Sequence, residues 1–136
     1  MLEHLGLLPA LVWLADESST LFGIDTDVKT VGAPRRLPAE PELVLFRIAQ
    51  EALSNVKKHS KATRAMLKVE FARERVKLEV TDNGRGFEVP ATFADLAGMA
   101  KLGLMGMQER ARLLHGTFSV TSETGKGTTV AAEVRG

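Results

Sequence analysis

The sequence predicts an α+β fold: a two-layer α/β sandwich with a mixed, mostly antiparallel sheet covered on one face by helices. Three observations predict it. Segments that alternate apolar with charged residues come in consecutive pairs, as hairpins do, and their charged positions mark a sheet face open to water. Two stretches with apolar residues at helical spacing separate those pairs. The repeated strand–helix–strand units that a doubly wound parallel sheet needs are absent, which leaves helices gathered on one side of the sheet.

At 136 residues the chain has room for one compact domain. Apolar types make up 44% and charged types 26%, so a sizeable core forms and wholesale disorder is excluded. The formal net charge of +1 gives no global attraction to nucleic acid or to an anionic membrane. With Cys at 0, disulfides, thiolate catalysis and cysteine-ligated metal are excluded, and the three histidines show no metal-ligand spacing. Leu2 to Ala15 is apolar but is interrupted by Glu3, His4, Gly6 and Pro9. It falls short of the about 20 residues a membrane span needs and lacks the basic start of a signal peptide. The expected setting is reducing and aqueous, and the abrupt apolar opening fits a piece of something larger.

Pro9 starts a short helix through Leu11, Val12 and Leu14 in this reading. An extended segment is expected from Thr20 to Val28, where Phe22, Ile24 and Thr26 alternate with Gly23 and Asp25. Gly32, Ala33 and Pro34 form a turn before Pro38 and Pro41 introduce the clearest helix, Glu42 to His59. Its apolar stripe is Leu45, Ile48, Ala49, Ala52, Leu53 and Val56. Ala65, Leu67, Val69 and Phe71 then mark one strand, and Val76, Leu78 and Val80 the next, joined by a hairpin between Ala72 and Arg75. A loop rich in small residues spans Glu88 to Lys101. A second helix runs from Gly103 to Leu114, with Leu104, Met107, Ala111 and Leu114 inward. Phe118 and Val120, then Val130, Ala132 and Val134, face inward from the last two strands.

Four patches carry chemistry. Glu51, Asn55 and His59 lie four apart on one helix stripe, with Lys58 beside them. A carboxylate, an amide oxygen and a cationic tip suit a hydrated Mg²⁺ with attached phosphates, and equally an ordinary solvated helix face. Asp82 opens the run Asp82-Asn83-Gly84-Arg85-Gly86-Phe87 and shares the parity of Val76, Leu78 and Val80. Its carboxylate therefore leaves the sheet on the covered side, where it needs a donor such as the exocyclic amine of a purine. Gly84 and Gly86 would let the backbone pass close to a flat ring, although Asn-Gly is also a common turn pair. Gly103, Leu104 and Gly106 at a helix start would offer free N–H groups to phosphate, or simply bend the loop into the helix. Thr128, after Gly125-Lys126-Gly127, shares the parity of Val130 and Ala132, as it would in a plain hairpin with two turn glycines.

In order and spacing, these runs resemble the C-terminal ATP-binding catalytic domain of bacterial sensor histidine kinases, within the superfamily shared with gyrase, Hsp90 and MutL. The similarity is greatest to the subfamily paired with helix-turn-helix response regulators. It is carried by Arg47 to Asn55 with Lys58-His59, by Asp82 to Phe87, and by Gly103-Leu104, Gly106-Met107 and Glu109-Arg110. The resemblance implies the Bergerat ATP-binding fold, with ATP and Mg²⁺ as cofactors. Asn55 would coordinate Mg²⁺ bridging the ATP phosphates, with Glu51 near the metal as base or orienting group for the attacking histidine. Lys58, His59 and Lys101 would contact phosphate, together with backbone N–H groups from Gly103, Leu104 and Gly106. Asp82 would accept from the adenine amine, over a floor shaped by Gly84 and Gly86, and Thr128 would support the adenine end.

By the same resemblance, residues 88–101 are the ATP lid, residues 1–15 are a junction to a dimerisation and phosphoacceptor domain, and residues 16–136 are the catalytic domain. The partners implied are that histidine-containing domain, in a homodimeric parent, and a downstream response regulator. Nucleic acid and direct membrane contact are not among them. The domain would be cytoplasmic, in a parent that is membrane-anchored or soluble. Lys101 stands where the family often has glycine, Gln108 where arginine is usual, and His115 where glycine is common. The rival functions are an anti-sigma-factor-type serine kinase, which shares the nucleotide fold, and a non-catalytic ATP-responsive interaction module.

Overall fold

The computed structural model describes residues 2–57, 61–86 and 98–136, with residue 3 and residues 98–102 as backbone only. The described elements are α1 (Leu2–Leu5), α2 (Leu7–Phe22), β1 (Asp25–Val31), α3 (Ala39–Asn55), β2 (Arg64–Ala72), β3 (Arg75–Asp82), α4 (Gly98–Leu113), β4 (Thr117–Glu123) and β5 (Gly127–Arg135). The five strands form one sheet in the order β1-β2-β3-β5-β4. β1 pairs with β2 in parallel and every other pairing is antiparallel. The expected two-layer α+β sandwich is the observed architecture.

The alternation in β2 and β3 does what the period of a strand requires. Ala65, Leu67, Val69 and Phe71 are buried from one, and Val76, Leu78, Val80 and Asp82 from the other. A tight turn through Arg73 and Glu74 joins them, with Glu74 left-handed at φ 61°. Val130, Ala132 and Val134 of β5 complete the inner face, and Phe118 and Val120 of β4 pack half-buried against it. On the outer face, Thr81 meets Thr129 at 3.2 Å and Arg75 pairs with Glu133 at 2.7 Å.

α3 supplies the centre of the second layer through Leu45, Ile48, Ala49, Ala52 and Leu53. It begins at Ala39 rather than Glu42, because Pro41 sits in the first turn, where no backbone donor is needed. Its α-helical part ends at Asn55, and Val56 and Lys57 form a π-type turn. The end expected at His59 lies outside the described residues.

Four expectations are corrected. The helix expected from Pro9 is the 16-residue α2, which runs on to Phe22 and stops at Gly23, in the left-handed conformation at φ 68°, ψ 20°. Phe22 therefore belongs to a helix and the strand begins only at Asp25, although Ile24 and Thr26 are buried as the alternation suggested. The apolar residues of Leu2 to Leu14, within the expected junction, would face another domain rather than this core. Instead Leu7, Leu11 and Leu14 enter the main cluster with Ile24, Ile48 and Leu67, while Leu5, Val12 and Trp13 stay exposed. α2 also runs through the position between residues 15 and 16. Finally, α4 begins at Gly98 rather than Gly103. Met99, Ala100, Lys101 and Leu102 are good helix formers, and nothing in that run stops the helix from extending toward its N-terminus. At the other end, His115 at φ 56° and the Gly116 N–H bond to the Ala111 carbonyl close α4.

The burial of α2 sets the first expected outcome. Leu11→Ala should lower the unfolding free energy by about 2–5 kcal/mol, the range for a buried leucine truncation. Leu5→Ser on the exposed side should change it by less than about 0.5 kcal/mol. Urea unfolding followed by circular dichroism measures both, and equally small effects would return α2 to the surface.

Candidate nucleotide site

The site is built from two sources on the helix-covered side of the sheet. The end of α3 brings Glu51 and Asn55, both half-buried and one turn apart. Gly103 of α4 lies directly against them. A Cβ there would fall 2.7 Å from Glu51 Oε1 and 2.8 Å from Asn55 Nδ2. The missing side chain is thus what lets α4 cross the polar stripe of α3.

This placement corrects the reading of Gly103, Leu104 and Gly106 as a helix start. All three lie inside α4, where backbone N–H groups point to carbonyls of the preceding turn. Leu104 is a core residue at 4% exposure. At Gly106 an added Cβ would meet Arg110 Nη1 at 3.5 Å, an ordinary van der Waals contact.

The second source is the end of β3. Asp82 continues the inward parity and is 7% exposed. Its Oδ1 accepts from Gly84 N–H at 2.7 Å, and the Thr128 backbone N–H also donates to the carboxylate. Desolvation pushes the carboxyl pKa above its ordinary value, and the two backbone donors offset part of that rise. Asp82 and Thr128 are cross-strand partners. The Thr128 hydroxyl lies 2.8 Å from Ser122 Oγ, which in turn donates to the Gly127 carbonyl.

Two glycines hold this end together. Gly86, at φ +64°, abuts the β4–β5 turn so closely that a Cβ would fall 2.0 Å from the Glu123 carbonyl oxygen. Gly127, at φ +87°, would place a Cβ 2.1 Å from the Asp82 carbonyl oxygen. Gly127 was not among the expected site residues, yet its bare backbone lets β5 approach near enough for Thr128 to reach Asp82. The signal was its place just before a threonine of inward parity. Asn83 was also passed over. Its side-chain oxygen accepts from Thr63 and Arg64 N–H at 3.0 and 2.9 Å, pinning the exit of β3 to the start of β2.

Lys58 and His59 lie outside the described residues, as does the expected lid from residue 88 to residue 97; the rest of it is the start of α4. Of Lys101 only the backbone, in α4, is described. Among the described residues no group of three His, Cys, Asp or Glu forms a metal cage. The adjoining carboxylate and amide of Glu51 and Asn55 instead fit a hard cation that keeps its waters and is held mainly by phosphate oxygens.

Comparison with known proteins shows the family. Residues 40–135 match the family model described as histidine kinase-, DNA gyrase B- and HSP90-like ATPase. The chain belongs to that family, as an ATP-binding domain of the sensor histidine kinase type. It is 33% identical over 133 residues to the signal transduction histidine-protein kinase/phosphatase DegS of Brevibacillus brevis, covering 98% of this chain and 33% of the relative. The sensor histidine kinase LiaS of Bacillus subtilis is 36% identical over 135 residues, covering 98% and 35% respectively. This chain thus spans about a third of the length of these relatives. A crystal structure of full-length ShkA in complex with AMPPNP superposes with a TM-score of 0.76 at 23% identity, over 93% of this chain and 29% of that one. At that identity it shows the fold.

The raised Asp82 pKa has a definite sign. From about pH 3.8 upward the unfolded carboxyl ionises first, while the folded one keeps its proton until the pH passes its raised pKa. The unfolded state then binds fewer protons, so stability falls across that window and levels above it. Asp82→Asn should remove this component. The variant should gain on the wild type as pH rises through the window, read by urea unfolding at a series of pH values. Parallel curves would contradict the assignment.

Proposed function

We propose that this domain transfers the γ-phosphoryl of ATP to a histidine nitrogen on a dimerisation and phosphoacceptor domain, from which a response regulator is then phosphorylated. The observation that supports it most is Asp82, a buried carboxylate at the mouth of the central strand whose desolvation is offset, among the described residues, by backbone donors. A carboxylate so placed has acceptor capacity for the adenine amine, whereas guanine offers a carbonyl there. Gly84 and Gly86 shape the floor beneath the ring, and Thr128 supports it.

Glu51 and Asn55 would hold Mg²⁺, which supplies charge neutralisation to the phosphates when bound. Lys58, His59 and Lys101 would add cationic contacts. Glu51 orients the attacking histidine and takes its proton. A bond forms between that nitrogen and the γ-phosphorus, the bond from phosphorus to the β,γ-bridging oxygen breaks, and ADP leaves. Residues 1–15 would adjoin the acceptor domain, with Leu5, Val12 and Trp13 as the exposed side available to it. Among the described residues no helix is long and apolar enough to cross a membrane.

Calorimetry should show Mg-ATP binding well above Mg-GTP, and Asp82→Asn should lose most of that preference. Equal binding of the two nucleotides by the wild type would remove Asp82 from adenine recognition. With a separately supplied acceptor domain and saturating ATP, Glu51→Gln should keep nucleotide affinity within about twofold. It should depress acid-labile, base-stable labelling of the partner by about 10²–10⁴-fold, the usual contribution of a positioned base. Transfer at the wild-type rate would take Glu51 out of the chemistry.

A further inference from the structure

Glu42 is 2% exposed and lies in the first turn of α3. Its Oε2 accepts from the backbone N–H groups of Leu7 and Leu37 at 3.3 and 3.2 Å and from Arg36 Nε at 3.2 Å. Its Oε1 accepts from Arg36 Nη2 at 3.1 Å. The donors come from two separate stretches, the junction of α1 with α2 and the residues leading into α3. Leu7 is the first residue of α2, so its N–H has no intrahelical acceptor, and Gly6 before it has no side chain to cap with. A carboxylate from 35 positions away takes that role.

Arg36 closes the assembly. Its Nη1 donates to the His4 carbonyl at 3.3 Å. Its side chain lies across Gly6, where a Cβ would fall 2.6 Å from Arg36 Cδ and 2.7 Å from Nε. Gly6 is also at φ +88°, which side-chain-bearing residues rarely adopt.

Leu7 and Leu11 bury apolar side chains that hold α2 on the domain, and an ion pair whose arginine side chain is 54% exposed adds little net stability to that. What the hydrogen bonds add is direction. Side-chain packing tolerates rotation of α1 about the Gly6 pivot, whereas donors converging on one carboxylate do not. We infer that Glu42, Arg36 and Gly6 form a clasp that fixes the angle at which the chain enters the ATP-binding domain. They are thereby positioning residues for phosphoryl transfer to an acceptor joined ahead of α1. The inference rests on the phosphotransfer reading, since the angle matters only when an acceptor is attached there.

The test uses the full-length kinase that carries the acceptor domain. Glu42→Gln, Gly6→Ala and the apolar double variant Arg36→Met with Glu42→Leu are compared with wild type. Nucleotide affinity should stay within about twofold, because the clasp is remote from Asp82 and Asn55 in the fold. Transfer to the covalently joined histidine should fall at least about tenfold, and transfer to a separately supplied acceptor domain should not. The double variant should regain thermal stability without regaining transfer in cis. Wild-type transfer in cis by folded Gly6→Ala or by the double variant would overturn the inference, as would equal losses in cis and in trans. Absence of labelling by the wild type on either acceptor would overturn the phosphotransfer reading and the positioning role with it. The clasp itself has a separate readout. Amide exchange at Leu7 and Leu37 in the present chain should quicken at least about tenfold in Glu42→Gln, and unchanged exchange would overturn it.

Discussion

A carboxylate held out of water at the end of the central strand is the constraint on which this site depends. β3 lies in the middle of the sheet, and its period of two carries Asp82 to the side where Val76, Leu78 and Val80 build the core. A group so desolvated persists only if donors reach it. One donor is local, the Gly84 N–H two residues on. The other, the Thr128 N–H, comes from a strand that is near enough only because Gly127 has no Cβ. The Gly86 contact with the β4–β5 turn and the Asn83 staple to β2 then hold the loop after β3 on both flanks.

The helical layer answers to a different constraint. α3 must present an apolar stripe to the sheet and a polar pair, Glu51 and Asn55, along its border. α4 buries Leu104, Met107 and Ala111 while crossing that border. A side chain where the two helices meet would displace the polar ends of Glu51 and Asn55, and Gly103 stands there and leaves them in place. The glycines of this chain therefore act chiefly where two segments approach.

What was legible in the sequence follows from range. β2, β3 and β5 were readable because strand parity is local, and parity alone placed Asp82 and Thr128 on the covered side. α3 was readable from its stripe. α2 was misjudged because a run such as Leu7, Leu11 and Leu14 is equally apolar whether it meets its own core or another domain. The Phe22, Ile24, Thr26 alternation imitated a strand across a helix end that Gly23 in fact sets. The start of α4 is not legible because a glycine such as Gly103 reads locally as a bend, whereas here it makes contact with residues of α3 far away in sequence. The close contacts of Gly6, Gly86 and Gly127 are not legible for the same reason, since each is made with an atom that is remote or across a turn. Arg36 and Glu42 gave no periodic signal at all.

Two buried carboxylates show how the same chemical group serves opposite ends. Glu42 is met by a guanidinium and by two backbone N–H groups, so its acceptor capacity is largely spent inside the protein. Such a group fixes geometry and has little left to offer a ligand. Among the described residues Asp82 is met by backbone donors, and burial raises its pKa despite them. Its cost is incompletely offset by the described residues. A ligand that brings a neutral N–H donor to it supplies what the fold withholds, and it binds more tightly for doing so than one that brings a carbonyl. The discrimination of adenine from guanine proposed for this site is thus a consequence of leaving Asp82 under-satisfied. A lysine or arginine placed to neutralise it would stabilise the domain and blunt that selectivity.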